Sequence, residues 1–452
     1  MNSPINSNFS RRNFLRATAL ASGGVLIGFN FIAACKIDTK MPVDIESLNF
    51  NDFNAYIKIS DEGFVTIFSP NPEIGQGVKT SMPMIIAEEL DVDWNKVSVV
   101  QAGLNTKKFK GQMAGGSQSI RSNWNVLRQT GATAKQMLIN AAAQKWNVDS
   151  STCTASKGII SNAKGETLGY GDVVKLAATL PIPEKFTLKE IKNFQIIGKE
   201  IVNVDIDKII TGKPLFGLDF KTEGMLYAAV VRPPAFGQTL VSFDASEAKS
   251  ISGVLDVFTI GEKARNFLSK GYVSWTAILS ESDKIVVVST STWAALKAKK
   301  TIKAQWKQAT ELESSAFHDK KLMSLLEGDT LKVVREDGNI NDAFQQADTI
   351  IERTYHSPFL PHNCLEPMNF YANVTADKIE LVGPTQTPEE VSKAVAILLG
   401  RKVEEISVEM TRMGGGFGRR LYSDFALEVA EISDKLRKPV KMVSTREDDM
   451  TT

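Results

Sequence analysis

Apolar and polar positions alternate in Tyr56–Ser60 and again in Phe64–Phe68, with Asp61-Glu62-Gly63 between them, a pattern that predicts a β-hairpin. Four times afterwards a glycine- or glutamine-bearing stretch opens a helical pattern. Gly75-Gln76-Gly77 precedes a helix that Thr80 or Ser81 can cap, with Pro83 in its first turn. Gly115 to Ser119 precede a longer one, in which Leu127, Ala134, Leu138 and Ala142 form the buried stripe up to about Trp146. Gln386 stands before Thr387-Pro388-Glu389-Glu390, which reads as a capping box with proline at its first turn, and Gly400 closes that helix. The last is "RMGGGFGRRL". Ile406, Val408 and Met410 alternate as a strand ahead of it, and Leu421, Phe425 and Val429 recur at helical spacing behind it.

Elsewhere the pattern predicts a short hairpin in "SKGIISNAKGETLGYG", a helix from Asp172, strands at 225–230 and 285–288, and a helix in "STWAALKAKKTI". Residues 308–340 read as a charged linker. The expected fold class is α+β, a mixed α/β multidomain chain.

Composition narrows the function. The 452 residues carry 53 Lys+Arg against 52 Asp+Glu, so no global charge draws the chain to nucleic acid. The three cysteines, Cys35, Cys153 and Cys364, and the three histidines are too dispersed to hold zinc or an iron–sulfur cluster, so no protein metal ligand is expected. The glycine run lacks the register of a P-loop or dinucleotide fingerprint, and a helix follows it where a kinase needs a strand. What remains is a set of helix starts rich in neutral hydrogen-bond donors, suited to a large anionic ligand that brings its own metal.

The N-terminus supplies an address. Ser10-Arg11-Arg12-Asn13-Phe14-Leu15 followed by the mildly apolar Ala17–Ala34 resembles a twin-arginine export signal. Ile32-Ala33-Ala34-Cys35 resembles a lipobox that would make Cys35 a lipidation site; ordinary cleavage after the small residues is the other reading. Both place the mature protein in the periplasm, the first of them anchored to a membrane.

The segments "EIGQG", "AEELDVDW", "GGSQSIRS", "LYAAVVRPPAFG", "HNCLEPMN", "PTQT", "GGGFGRR" and "REDDM" together resemble the molybdopterin-binding large subunits of the xanthine dehydrogenase/aldehyde oxidase family, of the isoquinoline 1-oxidoreductase β-subunit type. They span nearly all of the chain after Cys35. The resemblance implies a signal over 1–35, a first molybdopterin-binding segment over 45–147, a connection over 148–211 and an inserted α/β hammerhead domain over 212–308. A linker over 309–340 and an incomplete second molybdopterin-binding segment over 341–452 follow. It further implies that Gln76, Gly77, Gly116, Ser117, Gln118, Ser119, Gln386, Gly415, Gly416, Phe417, Gly418 and Arg419 contact the cofactor. Arg419 departs from the lysine-type ending of the xanthine enzymes, and a surface ion pair is its alternative role.

The implied cofactor is molybdenum on molybdopterin, in its cytosine dinucleotide form, and the implied reaction is oxidation of an aldehyde or an aromatic N-heterocycle with water as oxygen source. Iron–sulfur clusters would sit in a small partner subunit, with a c-type cytochrome as an acceptor. No catalytic residue is assigned: the family's general base lies in a G-x-G-E segment, and the Gly-Glu pairs here, Gly165-Glu166 and Gly261-Glu262, fall outside that context. The chain therefore reads as about the first two-thirds of a subunit. The competing expectation is a noncatalytic cofactor-binding or assembly protein that lacks the catalytic third.

Overall fold

A computed structural model describes residues 50–271, 274–277, 279–308, 311, 313–328 and 332–451. The export signal and Cys35 lie outside the described residues. The predicted hairpin forms: β1 (Phe50–Asp52), β2 (Ile57–Ser60) and β3 (Val65–Ser69) run antiparallel, and β4 (Val97–Gln101) adds parallel to β3. The crossover from β3 to β4 is the helix Val78–Leu90, as a parallel pair requires. It packs against the helix Gln118–Trp146, whose predicted stripe of Leu127, Ala134, Leu138 and Ala142 is buried, with Ile57, Ile67, Met82 and Ile86 in the same core. The two helices meet at Gly131, where a Cβ would stand 2.4 Å from the carbonyl oxygen of Ile86. Bareness at that point permits the contact.

The stretch 154–169 forms a three-stranded antiparallel sheet, β5 (Thr154–Ser156), β6 (Ile159–Ser161) and β7 (Thr167–Gly169), one strand more than a hairpin. The helix beside it starts at Tyr170, two residues before Asp172, because the Asp172 carboxylate reaches back to the Gly169 N–H, 2.7 Å away.

Seven strands make the largest sheet. They are β8 (Leu226–Val231), β10 (Val254–Ile260), β11 (Lys284–Ser289), β13 (Asn369–Val374), β14 (Ile379–Gly383), β15 (Ile406–Met410) and β16 (Val440–Val443), in the order β10-β11-β8-β16-β13-β14-β15. The 212–308 stretch, expected as an inserted domain, thus shares a sheet with strands from residues 369–443. Two more of its strands, β9 (Gln238–Asp244) and β12 (Lys303–Gln308), pair separately. All six residues of β11 are buried, which explains its unbroken apolar run: the strand is covered on both faces. Contacts join residues 49–452 into one unit.

Within the expected linker, Ser314 caps a helix over Ser315–Leu326, and a second helix, Ile340–Gln346, starts at the linker's last residue. Neither buries a residue.

A cradle of four loops as the candidate functional site

The glycine run follows β15 without opening directly into a helix. Gly418 leads into a single 3-10 turn, Arg419–Leu421, and the helix proper is Asp424–Leu436. Gly415, Phe417 and Gly418 have φ of 98°, 52° and 97°, whereas Gly416 does not. Glycine accepts such values freely, but for Phe417 the left-handed conformation costs about 1 kcal/mol or more. Its ring is nevertheless 72% exposed. The strained residue displays its ring while Gly416, Arg419 and Arg420 close to it are buried, which makes it a candidate ligand contact.

Three other loops are tied to this one, two directly and the third through Gln386. Gln386 is 2% exposed; its Nε2 donates to the Ala114 carbonyl (2.6 Å), its backbone N–H to the Arg420 carbonyl (2.9 Å), and the Ala114 N–H returns a bond to the Gln386 carbonyl (3.0 Å). Gln386 Oε1 is buried without a partner among the described residues. It lies against Gly416, where a Cβ would come within 2.6 Å of it. Thr387 does not form its expected capping box: its hydroxyl donates to the Leu421 carbonyl (2.8 Å), which ties the Gln386 loop to the end of the glycine run. The Met413 N–H donates to the Glu73 carbonyl (3.0 Å), bringing in the Glu73–Gly77 loop.

The Gly115–Ser119 loop enters the long helix through left-handed Gly116 and Ser117, both exposed, and no side chain caps that start. Gln118 turns along its own helix towards Arg121 and Ser122. Ser119 Oγ donates to the Met113 carbonyl and accepts from Asn71 Nδ2 (3.2 Å each).

Gln76 and Arg419, like Gln118 and Ser119, are committed to partners within the protein. Gln76 folds back on its own loop, its Oε1 accepting from the Ile74 N–H (2.7 Å) and its Nε2 donating to the Pro72 carbonyl (3.1 Å). Arg419 makes a two-pronged pair with Asp424 (2.8 and 2.7 Å) at a 7% exposed position, so it is a buried ion pair and neither a surface one nor a free anion receptor. Burial works against its charge, but Asp424 outweighs this and raises its pKa.

The helix start after Gly77 is also taken. Glu73, 1% exposed, accepts from the N–H groups of Gly75 (2.8 Å), Gly77 (3.0 Å) and Lys79 (2.8 Å). That carboxylate, rather than Thr80 or Ser81, caps the helix, which therefore begins at Val78 and leaves Pro83 in its interior. Gly77, the N-terminal cap of this helix, has φ 80° and belongs to the same carboxylate nest.

Glu366 does the equivalent work beneath the glycine run. Its Oε2 accepts from the Gly414 N–H (2.8 Å) and Arg420 Nη2 (3.3 Å), and its Oε1 from Asn369 Nδ2 (2.9 Å) and the Leu218 N–H (3.2 Å). Arg420, fully buried, also donates from Nε to the Gly415 carbonyl (2.8 Å). The Cys364 thiol, its pKa raised by burial, donates to the Gly416 carbonyl (3.4 Å). Glu73 and Glu366 stand in the segments EIGQG and HNCLEPMN that carry the resemblance, yet neither is among the expected contacts. The available signal was Glu73 two and four positions ahead of Gly75 and Gly77, the spacing of a carboxylate held by loop N–H groups.

The cradle thus combines glycine backbone, exposed Gly116 and Ser117, the unpartnered Gln386 Oε1 and the Phe417 ring, while its carboxylates are spent holding the loops. Its donor set is neutral. Among the described residues no group of three or more His, Cys, Asp or Glu is placed to hold a metal.

Two family models, each described as a molybdopterin cofactor-binding domain, match residues 10–208 and 325–452. The chain is 29% identical to the membrane-bound aldehyde dehydrogenase (pyrroloquinoline-quinone) of Gluconacetobacter polyoxogenes, over 98% of this chain and 56% of that one. It is 25% identical to isoquinoline 1-oxidoreductase subunit beta of Brevundimonas diminuta, over 99% of this chain and 60% of that one. The chain belongs to the xanthine dehydrogenase/aldehyde oxidase family, as a molybdopterin-binding subunit. Among solved structures, quinoline 2-oxidoreductase from Pseudomonas putida 86 aligns over 56% of this chain and 35% of that one, with 20% identity and a TM-score of 0.43. The chain spans a little over half the length of the two curated relatives.

Proposed function

We propose that this chain is the cofactor-holding part of a molybdenum hydroxylase that oxidises an aldehyde or an aromatic N-heterocycle with water as the oxygen source. The observation that carries the reading is the cradle, in which four loops distant in sequence are cross-linked by Gln386, Ala114, Glu73 and Arg420 around bare glycine backbone. The residues fit a molybdopterin: the donors are neutral, no carboxylate competes with an anionic group at the Gly116–Ser119 helix start, and the buried Gln386 Oε1 awaits a donor. When bound, the group supplies a two-electron redox centre.

The chain's own residues bind and orient. Gly116 and Ser117 offer N–H groups at a helix start, where the dipole favours negative charge. Gly415, Gly416 and Gly418 let the main chain approach the pterin, and the Phe417 ring excludes water from one side. Glu366 and Glu73 hold those loops in place before anything binds, so binding does not have to order them.

The cytosine dinucleotide form of the cofactor, a small iron–sulfur partner subunit and a c-type cytochrome acceptor complete the reading. Export by the twin-arginine route suits a protein that must acquire its cofactor before crossing the membrane, with Cys35 as a lipid anchor. The test is turnover of the complete enzyme in ¹⁸O-labelled water. Labelled carboxylate or hydroxylated heterocycle supports the reading; bound cofactor without turnover of either class turns it to the noncatalytic alternative.

A further inference from the structure

We propose that Asp205 is a positioning residue for the cofactor cradle: it anchors Arg412, and through Arg412 fixes how the glycine run lies against the Glu73–Gly77 loop. The inference rests on the molybdopterin reading of that cradle.

Asp205 is 2% exposed and stands just ahead of the short helix Ile206–Ile210, yet its carboxylate caps nothing there. It faces away from its own element. Lys79 Nζ donates to both its oxygens (2.8 and 2.9 Å), and Arg412 Nη1 donates to Oδ2 (3.2 Å). The other end of the Arg412 guanidinium lies 3.7 Å from Glu73 Oε1, and the Lys79 N–H donates to Glu73 Oε2 (2.8 Å). Two carboxylates and two cations therefore form a closed, neutral cluster, with side chains 12% exposed or less.

The cluster joins two regions that match separate cofactor-binding models. Glu73, Lys79 and Asp205 belong to the region 10–208, and Arg412 to the region 325–452. Arg412 is also held by its backbone, its N–H donating to the Leu215 carbonyl (3.0 Å), and the next residue, Met413, donates to the Glu73 carbonyl (3.0 Å). Gly414 follows immediately. Removing the Asp205 charge leaves Lys79 and Arg412 with one carboxylate between them, and Glu73 already holds three loop N–H groups. A buried cation that loses its partner seeks another. Arg412 would draw on Glu73, loosening the N–H groups of Gly75 and Gly77 and shifting the lead into Gly414 together.

The experiment uses holoprotein from a host that makes molybdopterin, with molybdenum per chain and the rate of cofactor release as readouts beside the unfolding temperature. Asp205→Asn should release cofactor about tenfold faster or more. Asp91→Asn, which breaks comparable pairs with Lys135 and Lys189, should lose stability but keep normal release. Asp205→Asn combined with Lys79→Met restores the charge balance but not the Arg412 anchor, and should still release cofactor fast. Equal release from the Asp91 and Asp205 variants at equal loss of stability, or full recovery in the double variant, would overturn the inference. Wild-type protein without cofactor would overturn the molybdopterin reading and this inference with it, whereas normal release from Asp205→Asn overturns this inference alone.

Discussion

Glu366 and Gln386 show how differently two buried polar side chains can serve one loop. Every oxygen lone-pair direction that Glu366 uses is filled by a donor from the protein, so Glu366→Ala strands the Gly414 N–H and the Arg420 guanidinium and should destabilise the fold by about 3–5 kcal/mol in denaturant titration. Gln386 leaves Oε1 unfilled, and Gln386→Ala removes chiefly the bond to the Ala114 carbonyl, about 1 kcal/mol. That variant should stay folded by far-UV circular dichroism; unfolding comparable to that of Glu366→Ala would mean Gln386 serves the core. The two residues were unequally legible in the sequence. Gln386 stood beside a helix start where its amide could be placed by local spacing, whereas three of the four partners of Glu366 come from residues 218, 414 and 420, pairings set by the fold.

Helices were easier to read than sheets for the same reason. The stripe of the helix Gln118–Trp146 is periodic in its own sequence, and Gly131 marks its closest approach to the neighbouring helix. Gly131→Val places a Cβ against the immovable Ile86 carbonyl and should cost at least 1–3 kcal/mol in urea unfolding; an unchanged midpoint would place the helices further apart. Strand order gave no such signal. β8 pairs parallel with β16 across more than 200 residues, and that pairing, together with the antiparallel pairing of β16 with β13, puts Tyr227, Lys441 and Tyr371 side by side. Lys441, 2% exposed, donates to the Leu218 and Phe220 carbonyls (2.7 and 2.8 Å), and burial, aided by Lys221 and opposed by Asp219 and Glu366, lowers its pKa from 10.5 to about 8. Below pH 8 both folded and unfolded chains hold the proton, and the folded one bears its cost. Between about 8 and 10.5 only the unfolded chain holds it, so stability rises with pH through that window, by on the order of 3 kcal/mol from this residue. The stability difference between wild type and Lys441→Met should grow in favour of wild type over that range; a flat difference would contradict the burial argument.

On the scale of the whole molecule, the cradle exists only because two regions far apart in the chain fold onto each other. A loop from residues 73–77, another from 113–119 and two from the C-terminal region are held by reciprocal backbone and side-chain bonds, which leaves their bare faces to a ligand. At the same scale, the arginine pair at 11 and 12 should determine where the protein goes. Arg11→Lys with Arg12→Lys should keep the precursor in the cytoplasm on fractionation, and delivery to the periplasm despite the change would refute that address. The central claim is that the glycine run serves a molybdopterin and is more than a tight corner. It is tested most directly by molybdenum per chain in wild type and Gly416→Val, purified from a host that makes the cofactor. A Cβ at Gly416 falls 2.6 Å from Gln386 Oε1, and the valine methyl groups crowd further into the cradle. Wild type should carry about one molybdenum with its pterin, and Gly416→Val should carry almost none while keeping wild-type circular dichroism. A variant that retains its full molybdenum and only melts earlier would show that the loop is a structural turn.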